Sequence, residues 1–348
     1  MPNSVLRTLC VLTAAFLSHA VAAEEPALPA NRAHSLPALD PKPVPLMQVE
    51  PSPHFEARFV RGDRELTRYH FNPTDRRPYL YPLIGPSGLS LSRMGHPHDP
   101  IGHSHHNSFW VSHHIVNGVN FWGDRGPKLG KIVPQVIEQF GDTDESAWLI
   151  AVNHWIADDT QELLLIERRR VEVRPLPGDE FLTVIDLEFT VKGKPATFEQ
   201  TPFGLVAVRV RKSMTVHDGS GQIRNSEGGF NEKGPAGDRV GGAFRLPAKW
   251  CDYSGPTTSK SIEGVTLFDH PNNPNYPTVF HVRDDGWMGA ALTFDKSITV
   301  EPDKELRLRY GLWVHNGAPD HSAIDAKWNA FTKLDVLPTL ETAKSQPK

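Results

Sequence analysis

Cysteine is nearly missing from this 348-residue chain, which holds only Cys10 and Cys251. Cys10 lies in an apolar N-terminal stretch, so the remainder carries a single thiol and cannot close an internal disulfide. Stability must therefore come from a packed core, and Cys251 reads as a small buried residue rather than a nucleophile. Charge of one sign is missing too. There are 37 Lys and Arg against 41 Asp and Glu, a formal net charge of −4, which argues against a nucleic-acid or anionic-membrane partner. Beyond the N-terminus no run approaches the ~20 apolar residues of a spanning helix, so membrane insertion is not expected.

What is present begins with an export pattern. One positive charge, Arg7, precedes the apolar residues 9–17, and Ala20, Val21 and Ala22 supply the small-x-small pattern cut by signal peptidases. Arg7 stands where a lipoprotein box would carry Leu. The reading is a cleaved signal peptide over 1–22 and a periplasmic or secreted protein. A Pro/Ala-rich leader over 23–50 follows, then a single domain over 51–348.

Period-two alternation dominates that domain. Phe181, Ile185, Leu187, Phe189 and Val191 alternate with Asp186, Glu188 and Thr190; Leu306, Leu308, Tyr310, Leu312 and Val314 alternate with Glu305, Arg307 and Arg309. Val206, Val208 and Val210 alternate with Arg209 and Arg211. Residues 147–157 alternate as well, and place His154 with Trp148, Ile150, Val152 and Ile156 on what reads as the buried face. One helix is expected near the end, capped by Ser322, with Ile324, Trp328 and Phe331 at i, i+4, i+7. Many short strands and almost no helix predict an all-β fold, a large antiparallel β-sandwich. About 300 residues is large for a simple sandwich, which favours the extended super-sandwich found in sugar mutarotases.

Seven of the 17 histidines fall between His96 and His114. Imidazole is both the common nitrogen ligand for transition metals and the acid/base nearest neutral pH. Gly95, Pro97, Pro100 and Gly102 disfavour a regular helix there. In an extended chain His103 and His105 would share one side and His106 the other. A His-Glu-x-x-His helix site, a cupin pattern and a His-x-Asp iron triad all fail on the residues present. A second concentration holds Asp269, His270, His281, Arg283 and Asp284, with His281 and Arg283 on one strand face. A third, Glu227 with Asp252, offers carboxylates. Trp110, Trp122, Trp250 and Trp287 lie in or beside these segments.

Arg77-Pro-Tyr-Leu-Tyr-Pro, the Gly-His-Ser-His-His-Asn-Ser-Phe-Trp run from Gly102 to Trp110, Val116-Asn-Gly-Val-Asn-Phe-Trp122, and Phe268-Asp-His-Pro with His281-Val-Arg-Asp284 resemble one bacterial family. It commonly carries the label "methane oxygenase PmoA", and the resemblance spans roughly residues 55–318. The family's usual Asp-His-Pro-His-His-Arg/Lys motif matches here at His103, His105 and His106. Gly102, Ser104 and Asn107 depart from it. Methane oxidation in the membrane enzyme's sense requires several spanning helices, which this sequence lacks. The family's company in polysaccharide-degrading bacteria implies a carbohydrate role.

The resulting expectation is a periplasmic carbohydrate-active enzyme, a lyase or hydrolase acting on a small-molecule or oligosaccharide substrate. His105, His106, His281 and Asp284 are expected in catalysis, and Arg93, Asn117, Trp122, His270 and Arg283 in substrate binding. His103, His105 and His106 are the candidate ligands for one divalent metal ion, with metal-free acid/base chemistry left open. A non-catalytic sugar-binding module and a metal-dependent oxidase or oxygenase are the alternatives. All of them require the segments around residues 95–114 and 268–284 to meet in space.

Overall fold

The computed structural model describes residues 43–237 and 240–335. The expected signal peptide and most of the expected leader lie outside them. The end of the leader is corrected: Met47–Ser52 is a strand, paired with Glu56–Arg61. Met47 and Val49 point into the core, a two-residue alternation that the Pro/Ala composition around it hides.

Every strand pairing is antiparallel, and two large sheets form. One has nine strands in the order Met47–Ser52, Glu56–Arg61, Arg64–His70, Tyr79–Leu83, Phe109–His113, Gly204–Arg209, Trp287–Ala291, Val279–Arg283 and Leu246–Pro247. The other has eight: Gln222–Asn225, Trp250–Pro256, Ile262–Asp269, Leu306–Asn316, Phe181–Thr190, Leu163–Pro175, Ala147–Ala157 and Gly130–Asp142. Phe59, Phe109, Val111, Val206 and Val208 of the first sheet share one apolar core with Leu149, Trp155, Val171, Ile185 and Leu312 of the second. The fold is thus the expected all-β sandwich. Cys251 is buried in that core, and burial pushes its thiol pKa up.

The C-terminal helix, His321–Phe331, covers the outer face of the second sheet. Ile324 and Phe331 pack with Leu182, Val184, Trp250, Phe268 and Trp313. Its cap is Asp320, whose carboxylate accepts from the Ala323 N–H, rather than Ser322. The strand Ala147–Ala157 is also reversed from expectation. Ala147, Leu149, Ala151, Asn153 and Trp155 point inward, while His154 is half-buried on the outer side. Both faces of that strand carry apolar residues, so hydrophobicity alone does not orient it. Glu167 does: it is fully buried, pairs with Arg169, and accepts from Trp155 Nε1 at 2.7 Å and Asn153 Nδ2 at 3.3 Å. Asn153 faces in because its partner is there.

Candidate functional site

Directly opposed residues on antiparallel strands share a face. Trp110 lies opposite Ala207, Ala207 opposite Gly289, and Gly289 opposite His281. Two residues along, Arg209 lies opposite Trp287 and Trp287 opposite Arg283. The alternate residues of these strands, among them Val206, Val208, Phe280, Val282, Met288 and Ala290, lie in the core between the sheets. The two rows therefore stand on the outer face of the first sheet. Ala207 and Gly289 put no bulk between Trp110 and His281, leaving a hollow. A Cβ on Gly289 would sit 3.0 Å from the Val206 carbonyl oxygen.

Loops close over this floor and leave a cavity of about 520 Å³, within the range of small-molecule sites. His103, His105 and His106 form one wall, and Trp122, Phe203, His114 and Asn120 another. Arg245, Arg283, Asp285 and Trp287 complete it. The histidine loop is tied at its neck by the Gly95 N–H to the His106 carbonyl, 2.7 Å. His106 is buried and stacks between Trp110 (ring centroids 5.5 Å) and Trp287 (6.1 Å). His105 lies 4.5 Å from His106, edge to face.

One buried arginine holds two loops together. Arg77 is 1% exposed and donates from Nη1 to the His105 carbonyl (3.0 Å) and Asn107 Oδ1 (2.6 Å). Its Nη2 donates to the carbonyls of Phe121 (3.1 Å) and Trp122 (2.8 Å) and to Asp124 Oδ1 (3.2 Å). The planar fork of the guanidinium suits this many acceptors. Arg77 thereby fixes the backbones that carry His105 and Trp122. Below them Arg209, with no exposed surface, donates from Nη1 to Asp285 Oδ1 at 2.8 Å, and His96 Nε2 meets Asp285 Oδ2 at 2.9 Å.

The cavity is basic. Arg209, Arg245, Arg283 and five histidines line it, against the single acid Asp285. Burial opposes ionisation of Asp285, yet the charge and hydrogen bond of Arg209 hold its carboxyl below the usual range. Four of these imidazoles, His105, His106, His114 and His281, are pushed toward the neutral form by burial. Burial, then the charge of Arg77, lowers His105 to about 4; burial lowers His281 to about 3, even though its Nδ1 meets the Pro202 carbonyl. Burial also takes His106 well below its ordinary value. Nδ1 of His281 is therefore the donor and Nε2 keeps the lone pair, a tautomer suited to accepting a proton.

These shifts set an acid sensitivity. An unfolded histidine takes up its proton near pH 6.5, whereas folded His105 and His281 wait until about 4 and about 3. Below pH 6.5 the unfolded chain binds more protons, so stability is expected to fall steadily as pH drops from 6.5 toward 4. A His105→Gln, His281→Gln double variant should show a flatter melting-temperature profile over that interval. Identical profiles would remove these two residues from the acid response.

The two expected segments do meet: His103, His105, His106, Trp122, His281 and Arg283 all line the cavity. Four other assignments are corrected. Asp284 faces away, accepting from the Glu232 N–H at 2.8 Å, and its neighbour Asp285 takes the cavity position. His270 lies under the C-terminal helix against Phe331, because buried Asp269 turns that segment by accepting from Asn273 and Thr278. Asn117 has φ 48° and fastens a turn, bonding the Pro195 carbonyl and the Thr197 N–H. Arg93 ties the base of the histidine loop to the Asp285 carbonyl at 3.3 Å. Of the third candidate segment, Asp252 is buried with His315 (2.9 Å) and Arg224 (3.0 Å) and is structural.

The expected metal ligands His103, His105 and His106 stand side by side on one cavity wall. The rings of His103, His105 and His106 lie 4.5–5.8 Å apart in three orientations. Among the described residues, the group of three whose ligand atoms lie within 4.8 Å of one another is His98, His217 and Asp218. Arg77, Arg209, Arg245, Phe203 and Asp285 are the site residues that the sequence reading missed. Arg209 had a signal, a charge alternating with three valines, which reads as an ordinary solvated face.

No curated protein matches the sequence. Among solved structures, a GalM/aldose epimerase homologue from C. elegans aligns at 8% identity and a TM-score of 0.34, covering 78% of this chain and 99% of that one. A polysaccharide lyase aligns at 12% identity and a TM-score of 0.27, covering 81% of this chain. The chain spans about a third of that lyase, 34% of its length. The family model that matches, over residues 56–329, takes in most of the sandwich and every cavity residue named above. The chain belongs to a family of unknown function, DUF6807.

Proposed function

We propose that this cavity binds an anionic sugar derivative, such as a uronic or aldonic acid residue, and acts on it by proton abstraction beside the carboxylate. The observation that carries the reading is the pairing of neutral imidazoles with guanidinium groups in one aromatic-walled hollow. Trp122, Trp287 and Phe203 offer ring faces to a sugar. Arg245 and Arg283 stand exposed at the cavity, and Arg209 adds its charge from below.

The charge of the ligand matters to the chemistry. A base whose conjugate acid has a pKa near 4 accepts protons poorly at neutral pH. An anion brought beside His105 offsets the cationic surroundings and raises its basicity. In a β-elimination the base takes the proton from the carbon next to the carboxylate. A C=C bond forms from that electron pair as the bond from the next carbon to the departing sugar oxygen breaks. His105 is assigned as base, and as its imidazolium it hands the same proton on to that oxygen; His281, whose Nδ1–H is engaged by the Pro202 carbonyl, can offer only the acceptor Nε2.

The reading places the protein outside the cytoplasm, as its N-terminal residues 1–22 suggest, with a small-molecule or oligosaccharide partner and no nucleic acid. It also keeps the kinship with the PmoA-labelled family, on the shared His103, His105 and His106. Purified protein should release products with a new ultraviolet-absorbing C=C from a panel of uronate-containing oligosaccharides. It should bind the matched neutral sugars at least tenfold more weakly. Equal binding of neutral and acidic sugars would end the anionic reading. Tight binding of the acid without product would instead favour a sugar-binding module.

A further inference from the structure

We propose that His98, His217 and Asp218 form a site for one divalent transition-metal ion of the zinc class, clasping the histidine loop to the turn after Lys212–Met214. His98 Nε2 lies 2.7 Å and 2.9 Å from the two carboxylate oxygens of Asp218. His217 Nδ1 lies 3.4 Å from Asp218 Oδ1, and the two imidazole rings meet edge to face at 5.6 Å. Two imidazole nitrogens and a carboxylate oxygen are a common donor set for such ions, each bonding at about 2.0–2.2 Å. Ligand atoms around one tetrahedral ion at those bond lengths stand roughly 3–3.5 Å apart. Here Asp218 Oδ1 lies 2.7 Å and 3.4 Å from the two imidazole nitrogens, and all three donors lie within 4.8 Å of one another, so small side-chain shifts would seat an ion. Both histidines are exposed, which leaves an entry path and a fourth position for water.

The ligands are held by partners that do not themselves ligate. The Asp218 N–H donates to Thr215 Oγ1 at 2.8 Å, fixing the carboxylate's turn. The His217 N–H donates to the Asp284 carbonyl at 2.9 Å. On the other side, His96 Nδ1 accepts the His98 and Asp99 N–H groups at 3.0 and 3.2 Å. Its Nε2 must then carry the proton that meets Asp285. His98 thus sits on backbone pinned to the floor of the cavity. Such support is what second-shell groups provide around a metal.

The consequence is mechanical. His98 and Asp218 are 120 residues apart in sequence, and an ion between them would anchor the loop whose far side carries His103, His105 and His106. This does not depend on the cavity's substrate. The test uses untagged protein stripped with a chelator, titrated with Zn²⁺ by calorimetry and with Co²⁺ by visible absorption. One equivalent should bind, with the intense absorption of four-coordinate Co²⁺ and a rise in melting temperature. His98→Gln, His217→Gln and Asp218→Asn should each weaken binding at least tenfold. Their metal-free melting temperatures should stay near the parent's, and His103→Ala should bind as the parent does. Failure of the stripped protein to bind Zn²⁺ or Co²⁺ at micromolar concentration would overturn the site. So would one-equivalent binding that survives all three variants or disappears with His103→Ala.

Discussion

An Arg77→Met variant is expected to lose about 3–5 kcal/mol of stability, the usual cost of removing one partner from a buried ion pair. Methionine restores much of the volume but none of the donors. The carbonyls of His105 and Trp122, the Asn107 amide oxygen and Asp124 would lose this donor, while the Phe121 carbonyl keeps the Ser112 hydroxyl at 2.6 Å. Each buried acceptor left alone costs of order 1–3 kcal/mol, reduced where water can enter. Here water can enter only if the loops part, so the loss should fall first on the cavity walls. Limited proteolysis should cut near residues 103–107 and 121–124 before the sheets unfold. Arg77→Lys should not rescue the protein, because an ammonium is a point charge with three donors and cannot span both loops. A variant that melts with the parent and resists protease equally would show that Arg77 holds neither loop.

The second large effect is expected at His105. On a substrate that the parent turns over, His105→Ala should lower kcat by about 10²–10⁴, the range for removing a positioned general base. KM should change little, since His105 supplies no charge to an anionic ligand. The side chain is half-buried at a cavity wall, so the melting temperature should stay close to the parent's. Arg245→Gln should behave in the opposite way, raising KM with a small change in kcat. It is exposed and stacks on Phe244 and Phe294, with no role in moving protons. A His105→Ala enzyme with parental kcat would move the base elsewhere, His281 being the next group to replace.

The sandwich was readable because burial is written into strands as alternation. The strands at 181–190 and 306–316 carry apolar residues along the core side, with Asp186, Glu188, Arg307 and Arg309 on the other, where Leu182, Val184 and Trp313 meet the C-terminal helix. Alternation failed at 147–157, where both faces are apolar and a buried glutamate from the neighbouring strand decides the orientation. The histidine loop was readable by density, and His281 and Arg283 by sharing a strand face. Asp285 was missed by a single residue: the sequence marks Asp284 and Asp285 alike, and only the turn after Val279–Arg283 turns one of them toward Arg209. Arg77 and Arg209 were not readable as site residues. Their meaning lies in acceptors 28–47 and 76 positions away in sequence, which no local pattern encodes.

The two rows of the cavity floor and the core of the sandwich are interleaved on the same four strands. Shifting any of these strands by one residue would exchange the two sets. Val208 or Met288 would then look out into the hollow, and Arg209 or Trp287 would be driven between the sheets. Insertions or deletions of one residue within Phe109–His113, Gly204–Arg209, Val279–Arg283 or Trp287–Ala291 should therefore abolish folding and ligand recognition together. What the hollow admits can therefore be altered through loop length and through side chains of the outer row, but not through the length of these strands.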